Sequence, residues 1–377
     1  MKKTKICAVM LAFVMATGVF AAGCKKTDGS SVVGSSDTGI SISIDPNMTG
    51  GGAGTSEIPS YVGMTYEDNY DAAAIAEMGK QVTVHGMKFS SLEYNFYFAN
   101  EYTQMLSMSL RGGSYMVPMT DAGFLDMNAQ LTDEKTVRDY LQEVVISDLQ
   151  GEAFLLEYAE SKNLTLSEDV LTEIEAQFSE AEESAQKYGI TLDDYLKSYY
   201  GPDANVDEMR QILQRYELIN TAMADFVDTY EFQEGEDMLP VVFHVLYPTL
   251  DLATYTELSD EEKEQAHQRA ETTLSTYKTY DELKAKADED VAAGIAAEAS
   301  EYTVSLGQMV EEFEDWCFAE HTEGDMGIVE TVYGYHVMYF VGMAEADENQ
   351  KKQIAYKVLQ DKLDEAIASG DYDPVFG

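Results

Sequence analysis

The hydrophobic pattern of this chain changes period once, and that change limits what the chain can fold into. Over residues 91–233 apolar side chains recur at three- and four-residue intervals, as in helices that bury one stripe. At Val241 the pattern gives way to Val-Val-Phe-His-Val-Leu-Tyr, a β-branched and aromatic run closed by Pro248 that reads as a strand. Helical stretches at 259–277 and from Tyr280 follow, then a short strand at 302–304, a short helix at 310–318 and two strands within 328–340 around Tyr333-Gly334. That order of elements belongs to an α+β sheet domain of about 100 residues. The expected fold class is α+β: a helical domain carrying an inserted domain with a four-stranded sheet and flanking helices.

Within the helical part, residues 81–89 alternate as a hairpin about His85-Gly86. A helix is expected over 91–110, with Leu92, Phe96, Ala99, Met105 and Met108 on overlapping turns, followed by an irregular segment at 111–131. The next helix starts from the signal Thr132-Asp133 and runs with Val137, Leu141, Val144, Leu149, Ala153 and Leu156 along one face, to Asn163. Further helices are expected at 167–188, 191–199 and 206–233. The polar helix at 347–368, with Ile354, Val358, Leu359 and Leu363 inward, is expected to fold back onto this region. Residues 239–344 are then an insertion into a helical domain of 61–238 that 345–377 completes.

The first sixty residues read as an export address. Lys2, Lys3 and Lys5 precede an apolar run at 6–20, too short for the roughly 20 residues that span a bilayer. Ala21-Ala22-Gly23-Cys24 resembles the lipobox of bacterial lipoproteins, although Ala21 stands where Leu or Val is usual. The resemblance implies a signal peptide of 1–23 and a lipid on Cys24; an ordinary signal peptide is the alternative. Residues 24–60 read as a Gly/Ser tether, about 30 of whose residues reach roughly 30 Å.

Charge and cysteines exclude several classes. The chain has 24 basic and 69 acidic residues, a net of −45; without Lys2, Lys3 and Lys5 it is 21 against 69, or −48. Nucleic acid and anionic headgroups both need a basic face, so neither is an expected partner. Cys7 leaves with the signal and Cys24 takes lipid, so Cys317 has no partner for a disulfide. No EF-hand loop, zinc spacing or Ser-His-Asp set is present. His85, His267 and His321 fall at positions that read as exposed. No metal or cofactor is expected.

Residues 240–342 resemble a parvulin-type peptidyl-prolyl isomerase domain. Phe243-His244-Val245-Leu246 is similar to the family's first strand, Gly307-Gln308-Met309 through Phe313-Glu314-Asp315 to its Gly-Gln-Met stretch, and Thr331-Val332-Tyr333-Gly334-Tyr335-His336 to its closing motif. The resemblance implies a proline slot formed by Met309 and Phe313 with Phe318 nearby. It also implies His244 and His336 on adjacent strands, hydrogen-bonded with Thr331. Aligning Tyr280-Asp-Glu-Leu283 with the family's second helix puts Asp290 where the family has Cys or Asp, on a loop after that helix; a solvated acid beside Asp288 and Glu289 is the other reading. The family's Gly-Gly-Asp-Leu-Gly segment is absent, Ala299–Leu306 standing in its place, and Trp316-Cys317 replaces small residues.

The helical part resembles the chaperone regions of PrsA-like and SurA-like exported foldases through Glu152-Ala153, the break Lys162-Asn163-Leu164-Thr165-Leu166-Ser167, and Tyr188-Gly189-Ile190-Thr191-Leu192. Met105, Met108, Met116, Met119 and Met127 suit either a plastic client surface or core filling. The reading is an envelope foldase, lipid-anchored on the outer face of the plasma membrane. It would isomerise X–Pro bonds in unfolded or partly folded secreted proteins. A non-catalytic holdase is the alternative, and a solute-binding or adhesive lipoprotein a third.

Overall fold

The computed structural model describes residues 65–111, 117–132, 134–187 and 189–377. The signal peptide, Cys24, the whole tether, Met116, Asp133 and Tyr188 lie outside the described residues. The chain divides into two compact units, one of residues up to Phe226 with Gln360–Gly377, the other Val227–Leu359.

The helical unit opens with two single-turn helices, α1 (Tyr66–Asn69) and α2 (Ala72–Ile75), and a hairpin of β1 (Val82–Val84) and β2 (Met87–Phe89). At the hairpin turn His85 and Gly86 take φ of 48° and 78°, two successive positive values of the kind a tight two-residue turn requires. The His85 ring stacks on Tyr372 at 4.5 Å, which pins the turn to the C-terminal segment. Helices α3 (Ser91–Arg111), α4 (Val137–Lys162), α5 (Glu168–Lys187), α6 (Leu192–Tyr200) and α7 (Val206–Thr229) follow. The start of α4 differs from the sequence expectation. Thr136 and Asp139 form a reciprocal capping box, whereas the Thr132 hydroxyl accepts from the Lys135 N–H in a turn before it. Asn163 ends α4 in the left-handed conformation, with φ 54°. Val137, Leu141, Val145, Leu149 and Ala153 form the buried stripe, and Val144 and Leu156 lie at its half-buried margin.

Charged side chains also enter this core. Glu93 of α3 and Glu152 of α4 are each 2 % exposed, and Arg215 of α7 reaches both, at 3.1 Å to Glu93 and 3.1 Å to Glu152. The Tyr97 hydroxyl donates to Glu152 at 2.7 Å. Burial, reinforced by the Glu152 charge, pushes Glu93 up to about 8 while Arg215 opposes it. Burial likewise raises Glu152, and it raises neighbouring Asp148 well above the usual carboxyl range.

The sheet unit contains β3 (Met238–Pro248), a two-residue hairpin of β4 (Leu250–Asp251) and β5 (Thr256–Glu257), α8 (Asp260–Thr276), α9 (Tyr280–Ala292), β6 (Glu298–Thr303), α10 (Glu311–Phe318), β7 (Met326–Thr331) and β8 (Gly334–Glu345). The four long strands form an antiparallel sheet in the order β6-β3-β8-β7, so the expected α+β class with a four-stranded sheet holds. Alternation along β3 assigns the two faces. Phe243, Val245 and Tyr247 meet Ala266 and Ala270 of α8 and Leu283 and Ala287 of α9. Val242 looks the other way, into a core with Phe313 and Cys317 of α10, Met338 and Phe340. Helix α11 (Glu348–Ala368) follows the sheet, and the short strand β9 (Val375–Phe376) pairs antiparallel with β1.

Because Arg215 is the cation that offsets two buried carboxyls, Arg215→Met should destabilise the helical unit by about 3 kcal/mol at pH 7, less its partial exposure. Hydrogen exchange of α3 and α4 amides reads the loss. The loss should deepen as the pH rises through about 8, where Glu93 ionises in the parent beside the cation.

Candidate functional site

The site is built by two neighbouring strands whose register places two imidazoles diagonally on one face. His244 of β3 lies opposite Met338 and His336 of β8 opposite Leu246, so the rings meet across the diagonal. Their Nδ1 atoms are 3.1 Å apart. The next link is Thr331 on β7, whose hydroxyl oxygen lies 3.0 Å from His336 Nε2.

One glycine makes this register attainable. Gly334 begins β8 at φ 143°, and a Cβ there would lie 2.3 Å from the Tyr247 carbonyl oxygen and 2.8 Å from Pro248 Cα. Only a residue without a side chain lets β8 start against the end of β3. Two residues later, His336 arrives on the histidine face.

The network assigns the tautomers. The Tyr333 N–H donates to Thr331 Oγ1 at 3.2 Å, which leaves the Thr331 proton for His336 Nε2 at 3.0 Å or the Gly334 carbonyl at 3.4 Å. The assignment that follows the shorter contact gives it to His336, and the ring roles below are those of that assignment. His336 accepts at Nε2 and donates from Nδ1 to His244, so the free N–H of the chain is His244 Nε2. That atom is buried without a hydrogen-bond partner, and Glu298 Oε1 stands 3.9 Å away, beyond bonding distance. A buried donor left unmatched is expensive, so it marks a place where a ligand acceptor fits.

Burial keeps both rings neutral. His244, 3 % exposed, is pushed down to about 4 against the attraction of Glu298. His336, 6 % exposed, is pushed down to about 3 by burial and by the neighbouring His244. Phe313 presents its ring nearly perpendicular to both, at 5.2 Å from His244 and 5.3 Å from His336. Met309 packs half-buried in the same core.

The structure thus brings together His244, His336, Thr331, Phe313 and Met309. Phe318 is the last residue of α10, the helix that carries Phe313, and is 40 % exposed. One expected residue is placed elsewhere. Asp290 sits inside α9, which runs on to Ala292, rather than on a loop after it. Nor is it a solvated acid: it is 3 % exposed, accepts from Tyr247 at 2.8 Å and from Lys286 at 2.8 Å. Tyr247 packs with the α8 and α9 residues, so Asp290 belongs to the opposite face of the sheet from the histidines. The carboxyl that faces His244 is Glu298 on β6, which sequence reasoning missed; its spacing of two from Ser300 and four from Tyr302 is the only signal, and it is weak.

His321 also departs from expectation. It is mostly buried, bonds the Trp316 carbonyl at 2.7 Å and lies with its ring 4.2 Å from the indole. Trp316 occupies the space beside Gly327, where a Cβ would come within 2.6 Å of the indole nitrogen. The Cys317 thiol is buried, and burial pushes it up to about 12, far from nucleophilic use at neutral pH. Among the described residues no cluster of His, Cys, Asp and Glu could hold a metal, and no helix is long and apolar enough to cross a membrane.

Residues 244–342 match the family model described as the rotamase, or PPIC-type PPIase, domain, so this stretch is a parvulin-type domain. No curated protein matches the sequence. Among solved structures, the chain is similar to the peptidyl-prolyl isomerase PrsA of Bacillus anthracis, at 16% identity over 62% of this chain and 99% of that one, TM-score 0.26. It is also similar to the foldase PrsA of Streptococcus pneumoniae, at 11% identity over 60% and 80%, TM-score 0.23. A SurA-like chaperone of Campylobacter jejuni gives 16% identity over 76% and 93%, TM-score 0.20. TM-scores this low leave the weight on the family match and on the geometry.

The depressed histidines give stability a definite pH slope. An imidazole whose folded pKa lies below its unfolded value of about 6.5 costs nothing above 6.5, and destabilises the fold as pH falls from there toward the folded pKa. The sheet unit should therefore lose on the order of 4 kcal/mol, about 2 for each imidazole, between pH 7 and pH 5. Urea unfolding followed by the emission of Trp316, the chain's single tryptophan, measures it. The double variant His244→Gln/His336→Gln should lack most of that slope.

Proposed function

We propose that the protein is an envelope foldase, lipid-anchored through Cys24, whose sheet unit catalyses cis–trans isomerisation of X–Pro bonds in exported chains while its helical unit holds them. The observation that carries this reading is the buried, unpartnered Nε2 of His244, held beside the Phe313 ring at the end of the chain of contacts from Thr331 through His336.

Rotation about an X–Pro bond is opposed by amide resonance, a barrier of about 18–20 kcal/mol. The planar amide nitrogen has no lone pair to offer. Twisting the C–N bond localises that pair, so the twisted amide has an acceptor that the ground state lacks. A donor fixed beside the proline ring favours the twisted form alone, which is what catalysis requires. Phe313 and Met309 supply the apolar wall for the ring. Thr331 and His336 hold the donor in its tautomer without themselves meeting the substrate. Uncatalysed isomerisation takes tens to hundreds of seconds, so a catalyst near the export surface shortens a slow folding step.

A holdase without catalysis is the second reading, favoured by the near-complete burial of both imidazoles. Cis–trans relaxation of an Ala-Pro peptide separates the two. We expect acceleration by the full-length chain, a loss of roughly 10²-fold in His244→Ala and a smaller loss in His336→Ala. A parent rate equal to background would sink the enzyme reading. The anchor has its own measurement: the mass of the mature N-terminus should show acylated Cys24, and Cys24→Ser should leave the membrane fraction.

A further inference from the structure

Strand β6 carries more than a wall. Its register against β3 sets Glu298 opposite Leu246, Ser300 opposite His244 and Tyr302 opposite Val242, so all three share the histidine face. The Tyr302 hydroxyl donates to the Glu298 carboxyl, and the Tyr302 ring lies 5.4 Å from the His244 imidazole, tilted by 30°. Glu298 is thereby tethered 3.9 Å from His244 Nε2, with a side chain 42% exposed. Among the described residues no Lys or Arg is paired with it. The site therefore presents one uncompensated carboxylate, held in place, at the edge of the donor.

We propose that Glu298 is a specificity-determining residue, which selects X–Pro segments whose X residue is Lys or Arg and rejects those in which X is Asp, Glu or phosphorylated. The inference rests on the isomerase-domain reading of this site. A proline ring against Phe313 puts the preceding residue next to His244, and a lysine or arginine side chain is long enough to reach the Glu298 oxygens from there. At a separation of about 6 Å and an effective dielectric of about 40, one such charge pair changes preference by roughly tenfold. The tether matters for the size of the effect. A carboxylate already fixed by Tyr302 loses little side-chain freedom when the cation arrives.

The acidic surface of the whole chain also attracts cationic peptides, and it does so wherever the charge sits in the peptide. Glu298 acts on one position only. The experiment uses peptides with Lys-Pro, Ala-Pro and Glu-Pro, together with an Ala-Pro isomer whose lysine stands four residues away. Isomerisation kcat/KM and peptide Kd are measured for the full-length chain, for Glu298→Gln and for Glu271→Gln, an exposed acid on α8 that removes the same charge from the other face. We expect Lys-Pro to exceed Ala-Pro by about tenfold in the parent and in Glu271→Gln, with Glu-Pro below Ala-Pro, and most of both differences lost in Glu298→Gln. Equal values for the three peptides in the parent would overturn the proposal. So would a preference that survives Glu298→Gln, or one that follows the displaced lysine equally well. Absence of isomerisation with every peptide defeats the catalytic reading instead, and the ranking of Kd values still decides the role of Glu298.

Discussion

The pairing of β3 with β8 is the constraint on which the sheet unit depends. It runs from Met238 opposite Glu345 to Pro248 opposite Gly334, with one irregularity, where Val241 faces Gly342 and Val242 faces Phe340. Because side chains alternate, a slip of one residue would send His336 to the helix-covered face and Val337 to the other. The absent side chain at Gly334 fixes one end of the ladder, and the bulge at Val341 fixes the other. The histidine contact follows from that register, and the pairing of β6 with β3 then sets Glu298 beside it.

Each unit buries titratable groups, and the two do so with opposite consequences. In the sheet unit two imidazoles are kept uncharged, so acid works against the fold. In the helical unit Glu93, Glu152 and Asp148 hold protons above their ordinary range, so alkali works against it. Arg215 moderates Glu93 and Glu152 in the second group, and the Glu298 carboxyl moderates His244 in the first. The pH range in which both units are comfortable is thus bounded from the two sides by different side chains.

Much of the architecture was legible because it rests on local signals. The run at 241–247, the hairpin at His85-Gly86, the left-handed stop at Asn163 and the Gly-Gln-Met helix all announce themselves within a few residues. What was not legible depends on distant partners. Strand β6 reads Glu-Ala-Ser-Glu-Tyr-Thr, with no apolar alternation, because it is an edge strand with both faces half exposed. Asp290 was misplaced because alignment from the start of α9 cannot tell where the helix stops. Glu93 and Glu152 look like solvated helix residues until Arg215 joins them from another helix. The expected start of α4 lies four residues early because Thr132 has an acid nearby, but only Thr136 has one at the third position, where it can answer the cap.

The pairing of β1 with β9 has a consequence for assembly. Val82 and Thr83 hydrogen-bond a strand at Val375–Phe376, so this small sheet joins segments separated by nearly the whole described chain. A ribosome delivers the first of these segments long before the second. The helical unit therefore cannot be closed before Val375 and Phe376 emerge, whereas every strand of the four-stranded sheet lies inside Val227–Leu359 and is available earlier. If the sheet unit folds first, about 130 residues of slack leave the loop that the final closure must bridge, and its entropic cost falls. An inserted domain that shortens its host's longest loop acts, in kinetic terms, as a folding aid to its own chain.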